Sequence, residues 1–266
     1  MRKIAILYIC TGQYDVFWKD FFISYEKRFL SKCEKHYYVF TDSKNLYRRD
    51  HERVHVVFQK SLGWPNNTLM RYHMFDRIKE DLYQYDQIFF MNANCLCVDD
   101  ITEEEFCVPH GLLVVQHPGF FDKPRRMFTY DHNPRSTAYI SDTEGQFYIC
   151  GGINGGKAED YLNAIGIMKD NIDIDINNHV VALWHDESHI NRYIIDHSDY
   201  TMLSPSYCCP EGWDIPFLPK ILVRDKTKWI DVKRAKREKF EFITRILRKL
   251  KRLSYEKKAI VNKSIS

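Results

Sequence analysis

The chain has 266 residues, of which 44% are hydrophobic, 28% charged and 15% aromatic, with 11 Gly and 9 Pro. This is the composition of an ordinary globular protein of one large domain or two small ones, and it excludes collagen-like, low-complexity and disulfide-scaffold classes. The net charge of +3 hides a division: residues 231–266 hold 13 Lys/Arg against four acids, which leaves the body at −6.

Met1-Arg2-Lys3 precedes an apolar run from Ile4 to Cys10 that lacks the small-residue cleavage site of a signal peptide and reads as a first β-strand. Further short runs rich in β-branched and aromatic residues lie at Tyr37–Phe40, Val54–Phe58, Ile88–Met91 and Leu112–Val115. Between them, Asp15 is placed to cap a helix carrying Phe17, Phe21 and Phe22. Leu69, Tyr72, Phe75, Ile78 and Leu82 recur at helical spacing after Asn66-Asn67-Thr68. Strand and helix alternating in this way predict an α/β fold whose mostly parallel sheet is covered by helices and binds ligands beyond the carboxyl ends of its strands. From His117 to Gly156 the chain is rich in Gly, Pro and Tyr and reads as loops and short strands. Helices follow at Ala158–Lys169 and from Asp186 to about Ile195. No stretch approaches the ~20 apolar residues of a membrane-spanning helix. The eight cysteines form no C-x-x-C pair and read as reduced thiols of a cytosolic protein.

Four segments carry chemistry. In Trp184-His185-Asp186-Glu187-Ser188-His189, two histidines stand four apart, as in the H-E-x-x-H zinc helix. That motif requires Glu directly after the first His, and Asp186 occupies the position. An amphipathic helix start, with Asp186 and Glu187 near the positive end of the helix dipole, explains the pattern as well. Gln87 to Asn94 is a buried strand ending in Asn92-Ala93-Asn94, where nucleotide-sugar transferases of the GT-A type usually carry Asp-x-Asp and a divalent cation. Neutral amides are weak ligands for such an ion. Paired glycines in Phe147 to Gly156 either let a ligand approach the backbone or serve as structural turns. His117-Pro118-Gly119-Phe120, among aromatic residues, suits sugar binding or a purely structural histidine.

In order along the chain, the words Tyr37-Tyr38-Val39-Phe40-Thr41-Asp42, His117-Pro118-Gly119-Phe120, Phe128-Thr129-Tyr130, Ala138-Tyr139-Ile140, Trp184 to His189 and Leu203-Ser204-Pro205-Ser206-Tyr207 resemble glycosyltransferase family 6 over about residues 1–228. This is the family of the histo-blood-group A and B transferases and α-1,3-galactosyltransferase. Asn92-Ala93-Asn94 is similar to its bacterial, metal-independent branch. The resemblance implies a GT-A catalytic domain over 1–230 and transfer of galactose or N-acetylgalactosamine from a UDP-sugar to O3 of a galactose, often α-1,2-fucosylated, with retention and without a metal or other cofactor. It implies Glu187 as the catalytic carboxylate and assigns Asp186 to the donor sugar and Trp184 to the acceptor. His117 and Thr129 match acceptor positions, with Glu211 expected on the same side. Ile9, Cys10, Thr11 and Tyr14 match the uracil and ribose pocket, Arg71 an arginine near the donor sugar and diphosphate, and Asn92, Ala93 and Asn94 the Asp-x-Asp position. Cys150-Gly151-Gly152 matches the specificity triplet. Gly152, lacking a Cβ, favours N-acetylgalactosamine over galactose. The departing diphosphate then needs side-chain cations, with Lys226 the first choice, followed by Lys228 and Arg224.

Beyond the resemblance, Phe240, Ile243, Leu247, Leu250 and Leu253 fall on one stripe of a basic amphipathic helix within 231–266. That tail is expected to attach the enzyme to an anionic membrane, bringing it to lipid-linked glycan at the cytoplasmic face of a bacterial inner membrane. The acidic body argues against nucleic acid as the partner. The rival from another class is a carbohydrate-binding protein without catalysis.

Overall fold

The computed structural model describes residues 1–231. Its strands are β1 (Lys3–Ile9), β2 (Glu34–Thr41), β3 (Val54–Phe58), β4 (Gln87–Met91), β5 (Cys95–Cys97), β6 (Leu112–Gln116), β7 (Ile149–Lys157), β8 (Tyr200–Leu203), β9 (Cys209–Pro210) and β10 (Ile221–Val223). Its helices are α1 (Trp18–Arg28), α2 (Asn66–Leu69), α3 (Arg71–Asp76), α4 (Lys79–Leu82), α5 (Glu103–Phe106), α6 (Ala158–Asn177) and α7 (Asp186–Asp196). The basic stripe expected from Phe240 to Leu253 lies outside the described residues.

Seven strands form one sheet in the order β3-β2-β1-β4-β7-β6-β8. β3, β2, β1 and β4 run parallel, and β7 is antiparallel to both of its neighbours. The strand period explains why the sheet is covered on both faces. Ile4, Ile6 and Tyr8 of β1 point into one apolar layer with Trp18, Phe21 and Tyr25 of α1, while Ala5 and Leu7 point into another with Tyr72, Phe75 and the inner face of α6. This is the mixed sheet flanked by helices expected of a GT-A fold. A small second sheet, β5-β10-β9, ties the C-terminal segment beneath the end of β4.

Three local expectations need correction. Asp15 caps no helix: it lies in a 3-10 turn, Gly12–Phe17, and α1 begins only at Trp18. The periodic stretch 69–82 is three short helices, because Met70 and Ile78 leave helical geometry with ψ near +15°. Leu69, Tyr72, Phe75 and Leu82 nevertheless share one buried face. The largest departure is β7, a nine-residue central strand where the glycines suggested loops. A Cβ on Gly155 would lie 2.2 Å from the Ile88 carbonyl oxygen and 2.4 Å from the Phe89 ring, so these strands approach one another only because the side chain is missing.

Candidate active site

The carboxyl ends of β1 and β4, the start of β7 and the first turn of α7 meet at one edge of the sheet. A cavity of about 240 Å³ opens there, lined by Asn92, His117, Cys150, Gly152, Glu187 and Trp213 among others. Its position follows from topology, since the strand ends of an open α/β sheet expose backbone groups that no further strand covers.

Glu187 is the best-held acid at this edge. Its Oε1 accepts from the Tyr148 hydroxyl at 3.0 Å and its Oε2 from the Gly151 N–H at 2.8 Å. Burial pushes its carboxyl up to about 7, against the pull of those two donors. A Cβ on Gly151 would lie 2.9 Å from the Glu187 Cβ, so glycine is what lets the strand backbone reach this carboxylate. Asp186 is buried, and its Oδ2 accepts from Arg71 Nη1 at 2.5 Å. Burial pushes it up to about 6, with Arg71 opposing. The same guanidinium donates to the Gly151 carbonyl at 2.7 Å and lies 3.9 Å above the Phe90 ring. Arg71 therefore braces β7 against α7. His185, immediately before the two acids, has φ +56° and ψ −125°, an uncommon backbone state for a non-glycine residue at the entry to α7.

Asn92 continues the β4 ladder, its N–H donating to the Gly152 carbonyl at 2.8 Å. Its amide nitrogen stands where a Cβ on Gly152 would be, 2.4 Å from that point. Glycine at position 152 therefore lets Asn92 pack against the β7 backbone at the cavity wall. Asn94 donates to the Arg224 carbonyl at 2.6 Å, and Ala93 is buried with its carbonyl accepting from the Tyr8 hydroxyl. At the end of β1, Ile9 and Cys10 turn to opposite faces, and burial pushes the Cys10 thiol up to about 12. Thr11 is buried, and the Gly12 N–H after it is held by Asp42 at 2.7 Å. Tyr14 is half-buried, its N–H donating to the Thr11 carbonyl.

On the other side, the His117 ring packs on Phe120 and Tyr148, and its Nδ1 accepts from the Gly119 N–H at 3.0 Å. Burial lowers its pKa to about 4, so the ring is neutral at physiological pH with its proton on Nε2, a ready donor to a hydroxyl. The Thr129 carbonyl lies 3.5 Å from the Tyr148 hydroxyl. Trp184 is exposed beside Glu187, the sort of ring face on which sugars stack.

The C-terminal cations differ among themselves. Arg224 is buried, with its guanidinium donating to Asp20 at 2.9 Å and to the Phe17 carbonyl and lying over the Phe17 and Trp229 rings. It is a structural clasp rather than a group that can swing over a phosphate. Lys228 pairs with Glu211 at 2.8 Å. Glu211 also accepts from the Asp225 N–H, so it anchors the 224–228 segment. Lys226 is exposed at the first position of the turn Lys226–Lys228.

His185 and His189 share no site. The former packs against Trp64, and the latter is buried 3.8 Å from Asp175. Among the described residues, no group of three or more His, Cys, Asp or Glu is arranged to hold a metal ion. Sequence reasoning missed Trp213 and the thiols Cys95 and Cys208 as lining residues, and Tyr148 as the buried partner of Glu187. Their only signal was their nearness to the quoted words.

The model of glycosyltransferase family 6 matches residues 3–235. The chain is 32% identical over 225 residues to the O-antigen biosynthesis glycosyltransferase WbnI of Escherichia coli, covering 85% of this chain and 95% of that protein. It is 28% identical to histo-blood group ABO system transferase 1 of Rattus norvegicus, over 86% of this chain and 66% of that one. It is also 28% identical to globoside alpha-1,3-N-acetylgalactosaminyltransferase 1 of Gallus gallus, over 79% of this chain. The match spans 62% of that avian protein.

Proposed function

The chain belongs to glycosyltransferase family 6, and from that membership we propose that it moves N-acetylgalactosamine from UDP-N-acetylgalactosamine to O3 of a galactose, with retention and without a divalent ion. An α-1,2-fucosylated galactose is the acceptor we put first, and UDP-galactose is the alternative donor. The observation that carries the proposal is Glu187, ionisable near neutrality and gripped through both oxygens at a cavity edge. A lectin has no use for a carboxylate held at that cost.

In the proposed reaction the bond from the sugar C1 to UDP breaks as the bond from the acceptor O3 to C1 forms, and the O3 proton leaves with UDP. Glu187 stands on the ring face opposite UDP, where its negative charge stabilises the positive charge developing at C1. His117 donates from Nε2 to an acceptor hydroxyl, and Trp184 offers it an aromatic face. Asn92 and Asn94 fit a hard cation poorly, since neutral amides replace carboxylates and the Asn92 amide oxygen already accepts from Arg71 Nη2 at 3.4 Å. Lys226, with Lys228 once released from Glu211, supplies positive charge to the diphosphate instead. Residues 231–266 attach the enzyme to an anionic bilayer at the cytoplasmic face of the inner membrane, which liposome flotation with and without residues 233–258 tests. Equal flotation would dispose of that part.

The deciding experiment is a transfer assay in EDTA with both UDP-sugars, with and without fucose on the galactoside, reading the product linkage by NMR. The expected product is α-1,3-linked N-acetylgalactosamine. No transfer from either donor would favour the lectin.

A further inference from the structure

Tyr148 is the one described residue whose hydrogen bonds and ring contacts join Glu187 to both acceptor-side positions, His117 and Thr129. Its hydroxyl donates to Glu187 Oε1 at 3.0 Å and lies 3.5 Å from the Thr129 carbonyl. Its own carbonyl accepts from the His117 N–H at 2.8 Å. The ring is almost wholly buried and wedged among Phe120, Phe128 and Tyr130, with centroids 4.6, 6.1 and 5.4 Å away. That aromatic cluster holds the loops between β6 and β7, which carry the acceptor-side residues.

We infer that Tyr148 is a positioning residue that aims the Glu187 carboxylate, keeps it ionised and couples it to the packing of the acceptor loop. The inference rests on the proposed role of Glu187 at the donor sugar. The physical reason is directional. A buried hydroxyl that donates to a carboxylate stabilises the charged form, and at 3.0 Å it also fixes which way that oxygen points. Lys, Arg and His are absent from the hydrogen bonds to Glu187, whose two donors are both neutral. The charged groups facing it are Asp186 on the same helix, which raises its proton affinity, and Arg71 on α3, which lowers it. The buried Tyr72 hydroxyl on α3 and Cys208 thiol before β9 also face it, the first held neutral by burial and the second by its contact with Cys150 and by burial. Taking away the Tyr148 hydroxyl removes one of the two donors, so Glu187 binds its proton more tightly and reaches its charged form only at higher pH.

Phenylalanine keeps the ring in its cluster and deletes only the oxygen. In the full chain with UDP-N-acetylgalactosamine and a fucosylated galactoside, Tyr148→Phe is expected to lower kcat by roughly ten- to a hundred-fold at pH 7. The KM for donor and acceptor should change less than about three-fold, within the ordinary context dependence of a neighbouring contact. The acidic limb of the kcat profile should move to higher pH. Carboxyl ¹³C NMR of labelled glutamate, with Glu187 assigned from Glu187→Gln, should show the same upward move without any turnover. A kcat loss with an unmoved acidic limb and an unmoved Glu187 titration would mean that Tyr148 is merely structural, and would overturn the inference. So would an unchanged kcat. Wild-type enzyme that transfers no sugar contradicts the function instead, while the NMR titration still decides the coupling.

Discussion

The two halves of this sheet edge are built by different means. At the ends of β1 and β4 it is made of strand ends and small or amide side chains; Asn92 lines the cavity there, while Cys10 is turned into the core and Thr11 is buried. On the side of β7, α7 and the loops after β6, it is made of side chains held by buried polar bonds, from Arg71 to Asp186 and from Tyr148 to Glu187. A backbone-built surface is set by sheet register and tolerates exchange of side chains. A surface built from buried polar bonds fails when any one partner is removed, because the other is left desolvated and unpaired.

Glu187→Gln tests the intolerant side hardest: kcat is expected to fall by on the order of 10³-fold or more in a UDP-release assay. The same variant should melt higher than wild type above pH 7. Burial raises the folded pKa of Glu187 to about 7, above its unfolded value near 4.5, so the ionised carboxylate costs stability at high pH. That cost is relieved as pH falls through 7, and the melting difference should close toward pH 4.5. A constant difference across pH would place its origin elsewhere.

Arg71→Ala should destabilise by about 3–5 kcal/mol in urea titration, since it strands the buried Asp186 charge and frees the Gly151 carbonyl. Arg71 and Asp186 replaced together should cost less than the sum, and strict additivity would show that the pair is not coupled. Arg224→Ala and Lys226→Ala sharpen the contrast within one segment. The first should lower stability by about 2 kcal/mol through the lost contacts with Asp20 and the Phe17 and Trp229 rings. The second should leave the urea midpoint unchanged and lower kcat. The smallest effect is expected on the tolerant side, where Cys10→Ser should keep the KM for UDP-sugar within about two- to three-fold, as the Cys10 side chain is turned into the core.

The same division governed what the sequence disclosed. β1 and β4 were legible because a strand buried on both faces is a continuous apolar run, which Ile4 to Ile9 and Ile88 to Met91 are. β7 was illegible because close packing demanded glycine at Gly155, and glycine erases the β-branched signature by which strands are recognised. Asp186 and Glu187 could be found through their motif. Tyr148 could not, since one tyrosine among many carries no periodic signal, and its partner stands 39 residues away. Arg224 was misjudged for a related reason. Its neighbours in sequence are a basic run, whereas its partners Phe17 and Asp20 lie some 200 residues earlier.

The central claim is that an ionised Glu187 works at the donor sugar without help from a divalent cation. The most direct test is the pH dependence of kcat for sugar transfer in EDTA. The expected result is turnover that is retained in the chelator and falls as pH drops through about 7. A rate that stays flat down to pH 5, or that returns only when manganese is added, would contradict it.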